Sequence, residues 1–306
     1  MCSDILESLD QHIAADLPMV RSVVAAVDGM IAYERYFVDA AADKRAHIFS
    51  CTKSILSMLV GILVKQGKFP DLDTRVVDVL PALKASANAS FVPITVRQCL
   101  NMTLGHVMDA SDYRLQPVSE KSVAWELGQR FRYSDVGPQA ISMMIQEITG
   151  QTASAFANAA LFAPLGVENP QWDASPDGYT VGGWGLWLSP RETLSLGQLA
   201  LQQGNWRENQ LADPQFFTQS TQRQSEGGFP NFDPYGFFWW VSERGGYHTY
   251  YAWGFGGQLI CVCPGLKLVT VVTSTTQLEM QTAPVQTIYF EYVMKACISI
   301  PRFCAR

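Results

Sequence analysis

Residues 47–66 read HIFSCTKSILSMLVGILVKQ, a short extended run followed by an apolar stretch with the spacing of a helix. The junction carries Ser50-Cys51-Thr52-Lys53, an S-x-x-K. On a helix the first and last of these four lie on one face, so the lysine nitrogen reaches the serine hydroxyl. The backbone amides of the first turn favour negative charge at the same place, which suits an activated serine and a developing oxyanion. By itself the pattern is weak, because 22 serines and 8 lysines in 306 residues produce roughly 0.6 copies by chance. The competing reading is a helix-capping Ser50 and a solvated Lys53. Lysine is electrostatically misplaced at a helix N-terminus, which favours a chemical role.

Outward from this helix the pattern changes twice. RSVVAAVDGMIAYERYF (21–37) is two strand-like runs around Asp28-Gly29, a strong hairpin signal, and helical spacing through Ile5, Leu6, Leu9 and Ile13 precedes it. Near the other end QLICVCP and LKLVTVVTS flank Pro264-Gly265 as a second hairpin, and Ala283 to Ile298 is again helical in spacing. Between the ends, KSILSMLVGILVKQGK, VAWELGQ, QAISMMIQEITGQTASAFANAALF and RETLSLGQLALQQG read as helices separated by Pro/Gly/Asp loops. The implied fold class is α+β. An antiparallel sheet from both chain ends, with terminal helices, occupies 1–45 plus 221–306, and a mostly helical lobe is inserted at 46–220. A ligand is expected in the cleft between these lobes.

Composition narrows the function classes. A net charge of −6, only 16% charged residues and no Lys/Arg run disfavour nucleic acid and anionic membranes as partners. No segment reaches the ~18 uninterrupted apolar residues of a membrane span, and the opening MCSDILESLDQHIAADLPMV lacks a basic flank before an apolar stretch. The expectation is a cytoplasmic protein acting on a small, weakly charged compound. Seven cysteines, at 2, 51, 99, 261, 263, 297 and 304, are odd in number and scattered, which argues for buried thiols over a disulfide framework. A pairing of Cys297 with Cys304 is not expected in a reducing compartment. The histidines at 12, 47, 106 and 248 form no H-x-H or H-E-x-x-H pair, there is no G-x-S-x-G elbow, and no glycine-rich phosphate loop precedes a helix. Neither metal nor organic cofactor is implied.

GMIAYERYF, FSCTKS, DLDTRVVDVLP, ITVRQCLNMTLG, FRYSDVGPQAISMMIQEITG, LFAPLGVENPQW, GGWGLWLSPRETLSLGQLALQQGNW and AWGFGGQLICVCPGLKLVTVV follow one another along the chain. Taken in this order, they resemble segments of the serine β-lactamase-like hydrolases, which include AmpC-type lactamases, D-alanyl-D-alanine carboxypeptidases, related esterases and nylon-oligomer hydrolases. The resemblance implies Ser50 as nucleophile, Lys53 as its partner and Tyr133 as the tyrosine of the family's Y-x-N motif. Tyr133 would take the Ser50 proton and return it to the leaving group, with its phenol kept acidic by Lys53; Lys53 as base is the alternative. The motif here is Tyr133-Ser134-Asp135. An amide donates and accepts, whereas an ionised Asp135 only accepts and would pair with Lys53, keeping it charged.

The family's third motif, Lys-Thr-Gly or His-Thr-Gly, falls at Gly254-Phe255-Gly256 within WGFGG, without the cation that holds a substrate carboxylate. What survives is a glycine-rich strand edge whose Phe255 N–H would join the Ser50 N–H as an oxyanion hole, as in the esterase and nylon-oligomer branch. Asp135, Trp184, Tyr251, Gly254 and Gly256 complete the expected substrate-binding set. The reading is a serine hydrolase of a small ester or amide. Three alternatives stay open: a D-alanyl peptidase or β-lactamase, an acyltransferase on the same site, and a non-catalytic ligand-binding protein of the same fold.

Overall fold

The computed structural model describes residues 1–84, 92–105, 126–276 and 285–299. His106, Cys304 and residues 123–125 of the VAWELGQ segment lie outside them; residues 126–129 of that segment form a turn, not a helix. In chain order the principal elements are α1 (Ser3–Asp16), β1 (Val20–Val27), β2 (Met30–Tyr36), α2 (Cys51–Lys65), α3 (Val136–Thr149), α4 (Pro190–Leu201), β3 (Trp240–Arg244), β4 (Tyr247–Gly254), β5 (Gln258–Cys263) and β6 (Leu268–Ser274). The chain divides into two compact units: residues 1–51, 188–201 and 243–306 form one, and 52–187 with 202–242 the other.

An antiparallel sheet has the order β2-β1-β6-β5-β4-β3, and its strands β1, β2, β4, β5 and β6 belong to the first unit. The β1–β2 hairpin turns through Asp28 and Gly29, both at positive φ (51° and 80°), the geometry a two-residue turn between twisted strands requires. The central strand β6 is buried along its whole length, in keeping with its near-continuous apolar run. Strands β3 and β4 add to the four expected. Their turn, Gly245-Gly246, has φ of 58° and 79°, the left-handed backbone a tight hairpin turn requires.

Helix α4 lies with this sheet, although its sequence neighbours belong to the helical unit. Its Gly197 abuts the Val269 and Ile260 side chains, and Tyr250 Oη, on the same sheet face, donates to Ala200 O at 2.9 Å. A reciprocal cap starts the helix: Ser189 N donates to Glu192 Oε2 at 2.8 Å, and Glu192 N to Ser189 Oγ at 3.3 Å. Glu192 also holds Arg45 at 2.6 Å. The α1 residues Leu6, Leu9 and Ile13 are buried, and residues 285–298 form a helical segment with a π-helical centre at Ile288–Val293.

The second unit surrounds α2. Residues 52–63 are buried on every side, as expected for a helix with no polar face, and Ser54 Oγ satisfies its hydroxyl on Phe238 O at 2.5 Å. Asp213 caps the helix Pro214–Ser220, and its N–H donates to Gly61 O at 2.9 Å, which moors that helix to α2. Helix α3 begins after Asp135 and ends at Gly150, whose φ of 70° is the left-handed C-cap that glycine adopts without cost.

Candidate active site

Within the second unit the first turn of α2 presents Lys53, which is 1% exposed. Its Nζ lies 2.6 Å from Asp135 Oδ1, donates to Gly183 O at 2.8 Å and stands 4.9 Å from the Tyr133 ring centroid. Asp135 is the N-cap residue of α3, yet its side chain makes no capping bond; the carboxylate is turned to Lys53 instead. Burial alone pulls the lysine pKa down. The charge of Asp135, with further charge and hydrogen-bond contributions from Asp135 and Tyr133, outweighs it and holds the ammonium above the usual lysine range. Tyr133 is half-buried, stacked on Trp240 (5.7 Å, 18° between planes) and edge-on to Tyr235 (6.2 Å, 86°). Burial, with the nearby Tyr133 and Asp135, pushes the Tyr235 phenol well up. It is therefore a neutral wall of the site.

Within the first unit Ser50 immediately precedes α2 and is half-buried. The residue before it, Phe49, has a φ of 47°, a left-handed conformation that is strained for an aromatic residue and that aims the following residue out of the extended run. Cys51 N donates to Ile48 O at 3.2 Å and closes this turn. Gly254, the last residue of β4, lies against it: a Cβ there would be 2.5 Å from Ile48 O. Phe255 follows in the β4–β5 turn, with its ring edge-on to Phe49 at 5.8 Å. The third motif is thus a hairpin turn and not a strand edge, held by Gly257 N donating to Gly254 O at 3.1 Å. Gln258, 2% exposed, braces the turn by exchanging hydrogen bonds with Ser274 (Nε2 to O, 2.8 Å; N to Oε1, 3.1 Å).

Two residues escaped the sequence reading. The Gly183 carbonyl carries no side-chain signal, and Gln258 looks like an ordinary strand polar residue. Of the expected substrate contacts, Trp184 is half-buried beside Gly183 in the chain. Gly256 has a φ of 77° and abuts Thr276. Tyr251 is corrected: it is 0% exposed, on the sheet face opposite Tyr250, and its hydroxyl accepts from Gln286 Nε2 at 3.5 Å. It is a core residue, since strand alternation turns it to the terminal helices. His12 bonds Asp16 and His248 bonds Glu243, and His47 packs on Phe49. The described cysteines, 2, 51, 99, 261, 263 and 297, are free thiols. Among the described residues no helix is long and apolar enough to cross a membrane, and no cluster of three or more His, Cys, Asp or Glu is arranged to hold a metal.

The Beta-lactamase family model matches residues 16–289, most of the chain. The chain belongs to the Beta-lactamase family. This family's members are serine hydrolases, esterases and β-lactamases among them. Protein flp of Staphylococcus aureus is 23% identical over 239 residues, 67% of this chain and 47% of the relative, so the chain spans about half the length of that protein. Among solved structures, a β-lactamase-like protein of Bacteroides dorei superimposes with a TM-score of 0.83 at 15% identity, covering 97% of this chain and 99% of the other. A 6-aminohexanoate-dimer hydrolase-like protein of Bacillus anthracis gives 0.76 at 18%, with 95% and 81% covered. A family VIII carboxylesterase gives 0.78 at 14%, with 97% and 98% covered. These likenesses share the β-lactamase/transpeptidase-like fold, with helices around an antiparallel sheet.

Proposed function

We propose that this Beta-lactamase-family chain cleaves a carboxylic ester or amide of a small, weakly charged compound through an acyl-enzyme on Ser50. The observation that carries this reading is the buried Lys53, held cationic by Asp135 at 2.6 Å beside Tyr133. A lysine kept charged is a poor base, so proton transfer falls to Tyr133, whose phenolate form the neighbouring ammonium favours. Tyr133 takes the Ser50 proton as Oγ attacks the carbonyl carbon, and the Ser50 and Phe255 N–H groups hold the oxyanion. The phenol then protonates the leaving alcohol or amine. Water attacks the ester on Ser50 and gives its proton to Tyr133, which passes it to Ser50 Oγ as the acyl–oxygen bond breaks and the acid is released.

In the third-motif turn Gly254 takes the place of the cation that would hold a substrate carboxylate, and the adjacent Phe255 is 45% exposed. That favours an uncharged, apolar group next to the scissile bond over a peptidoglycan stem or a penicillin. A carboxylesterase and an amide-dimer hydrolase among the proteins of similar fold accord with this choice. The experiment is an intact-mass scan for adducts after incubation with p-nitrophenyl acetate, p-nitrophenyl butyrate, an amide panel, a β-lactam and a fluorophosphonate. An acyl mass on Ser50, absent in Ser50→Ala, supports the proposal. No adduct and no turnover with any of them sinks it.

A further inference from the structure

Helix α3 places Gln139 one turn after Asp135, with Gln139 N donating to Asp135 O at 3.0 Å, so both side chains issue from the same face. Gln139 is 2% exposed, and its carboxamide works in both directions. Its Oε1 accepts from Gly182 N at 2.9 Å, and its Nε2 donates to Thr180 O at 3.4 Å. Ser142, one position short of a further turn, donates to the same Thr180 O at 2.7 Å. The segment 180–183 is thereby laid flush on α3. Only glycine fits at its end: a Cβ on Gly182 would collide with Pro138 O, and one on Gly183 with Asp135 Oδ1. The product of this close approach is the Gly183 carbonyl, aimed at Lys53 Nζ at 2.8 Å.

We infer that Gln139 is a positioning residue for Lys53, acting through the backbone of Gly182 and Gly183. An ammonium has three N–H donors. Asp135, Tyr133 and the Gly183 carbonyl are among the groups set around Lys53, and the carbonyl comes from a segment 130 residues away in the chain. An amide suits the clasp because it donates and accepts at once. A carboxylate at 139 would accept from Gly182 N but meet Thr180 O with like polarity, and an aliphatic side chain would leave Gly182 N–H buried and unpaired. When the clasp opens, the Gly183 carbonyl shifts, Lys53 rotates towards Asp135 and the ammonium no longer faces Tyr133 in its working geometry. The catalytic consequence rests on the proposed hydrolase reading; the geometric one does not.

The test uses the full chain labelled with nitrogen-15 on lysine. A buried ammonium with fixed acceptors exchanges its protons slowly and gives a resolved side-chain signal, assigned by its loss in Lys53→Arg. In Gln139→Leu the Lys53 signal is expected to disappear, and kcat on the best ester to fall by about tenfold to a hundredfold, the scale of a small misplacement, with KM within about twofold. Gln139→Glu, which keeps size and one bond, serves if Gln139→Leu does not fold, and is expected to shift the signal and lower kcat in the same sense. Ser142→Ala, which leaves the carboxamide in place, keeps the signal. An unchanged Lys53 signal and unchanged kcat in a folded Gln139 variant, even one that melts earlier, overturn the inference and leave Gln139 a packing residue. If the signal responds but wild type never acylates Ser50, the positioning role stands and the hydrolase reading falls. If Ser50 acylates and the signal is indifferent, the reverse holds.

Discussion

Replacing Asp135 by Asn removes one charge and little volume, so it isolates what the carboxylate does for Lys53. In the native protein the pair is 2.6 Å apart, with the lysine side chain 1% and the aspartate 16% exposed. Breaking a buried pair by neutralising one partner costs about 3–5 kcal/mol, and the retained amide oxygen places this change near the lower figure. The pH dependence is the sharper readout. In wild type the folded pKa of Lys53 is raised, so its stabilising contribution is fully present below the unfolded lysine value and wanes only as pH rises through the higher folded one. Wild-type stability therefore draws no slope from Lys53 at neutral pH. Without the carboxylate, burial, the largest single influence on this group, is no longer outweighed and the folded pKa drops below the unfolded one. Between those two values the unfolded chain binds a proton that the folded chain does not. Stability of Asp135→Asn then rises with pH, by up to about 1.4 kcal/mol per unit. Urea unfolding at intervals from pH 6 to pH 10, comparing the two proteins, measures it. A difference between variant and wild type that stays constant over this range would refute the argument that Asp135 is what keeps Lys53 charged.

Ser50→Ala should abolish covalent labelling while leaving the urea midpoint nearly unchanged. Tyr133→Phe should slow acylation in stopped flow by about a hundredfold or more, the usual loss for a general acid–base. Gly254→Ala sets a methyl 2.5 Å from Ile48 O, so it should push the turn ahead of Ser50 out of place and cut kcat/KM while α2, followed by far-ultraviolet dichroism, persists. Retention of full activity would show that the Gly254 contact does not shape the nucleophile turn. Glu192→Ala removes the α4 capping box and the Arg45 bond and should cost about 1–2 kcal/mol in urea unfolding at pH 7. Burial raises the Glu192 pKa, but Arg45 and the Ser189 N–H outweigh it and leave it lowered. The wild-type advantage should therefore hold above the usual glutamate range and fade as pH falls through the folded value. An advantage that persists in full at pH 2 contradicts it.

Much of this protein is written locally. The Asp28-Gly29 turn needs left-handed backbone at two adjacent residues, and Asp-Gly supplies it, so the first hairpin is visible in four letters. Gly245-Gly246 carries the same information for the β3–β4 hairpin, whose strands were not among the four expected. The Phe162-to-Trp240 stretch shows the other limit. Helix α4 has an apolar face of ordinary helical spacing, and nothing in that spacing says whether it meets another helix or, as it does, Val269 and Ile260 of the sheet. Tyr251 and Tyr250 are neighbours of identical chemistry. Which of them turns to α4 and which to the terminal helices depends on a strand register that one residue of slip would invert.

From the sequence alone come the candidate residues: the S-x-x-K spacing over one helical turn points to Ser50 and Lys53, and the resemblance of FRYSD to the family's motif points to Tyr133 and Asp135. The α+β class, with an antiparallel sheet drawn from both chain ends, was also legible, because strand and helix periodicities are local. Tertiary structure alone decided the electrostatics. Lys53 pairs with a carboxylate 82 residues away and donates to a carbonyl 130 residues away in the chain, and both contacts result from how α2, α3 and the 180–183 segment pack. A backbone carbonyl is the same group in every residue. Only the fold that brings Gly183 flush against α3 makes it an acceptor for that lysine.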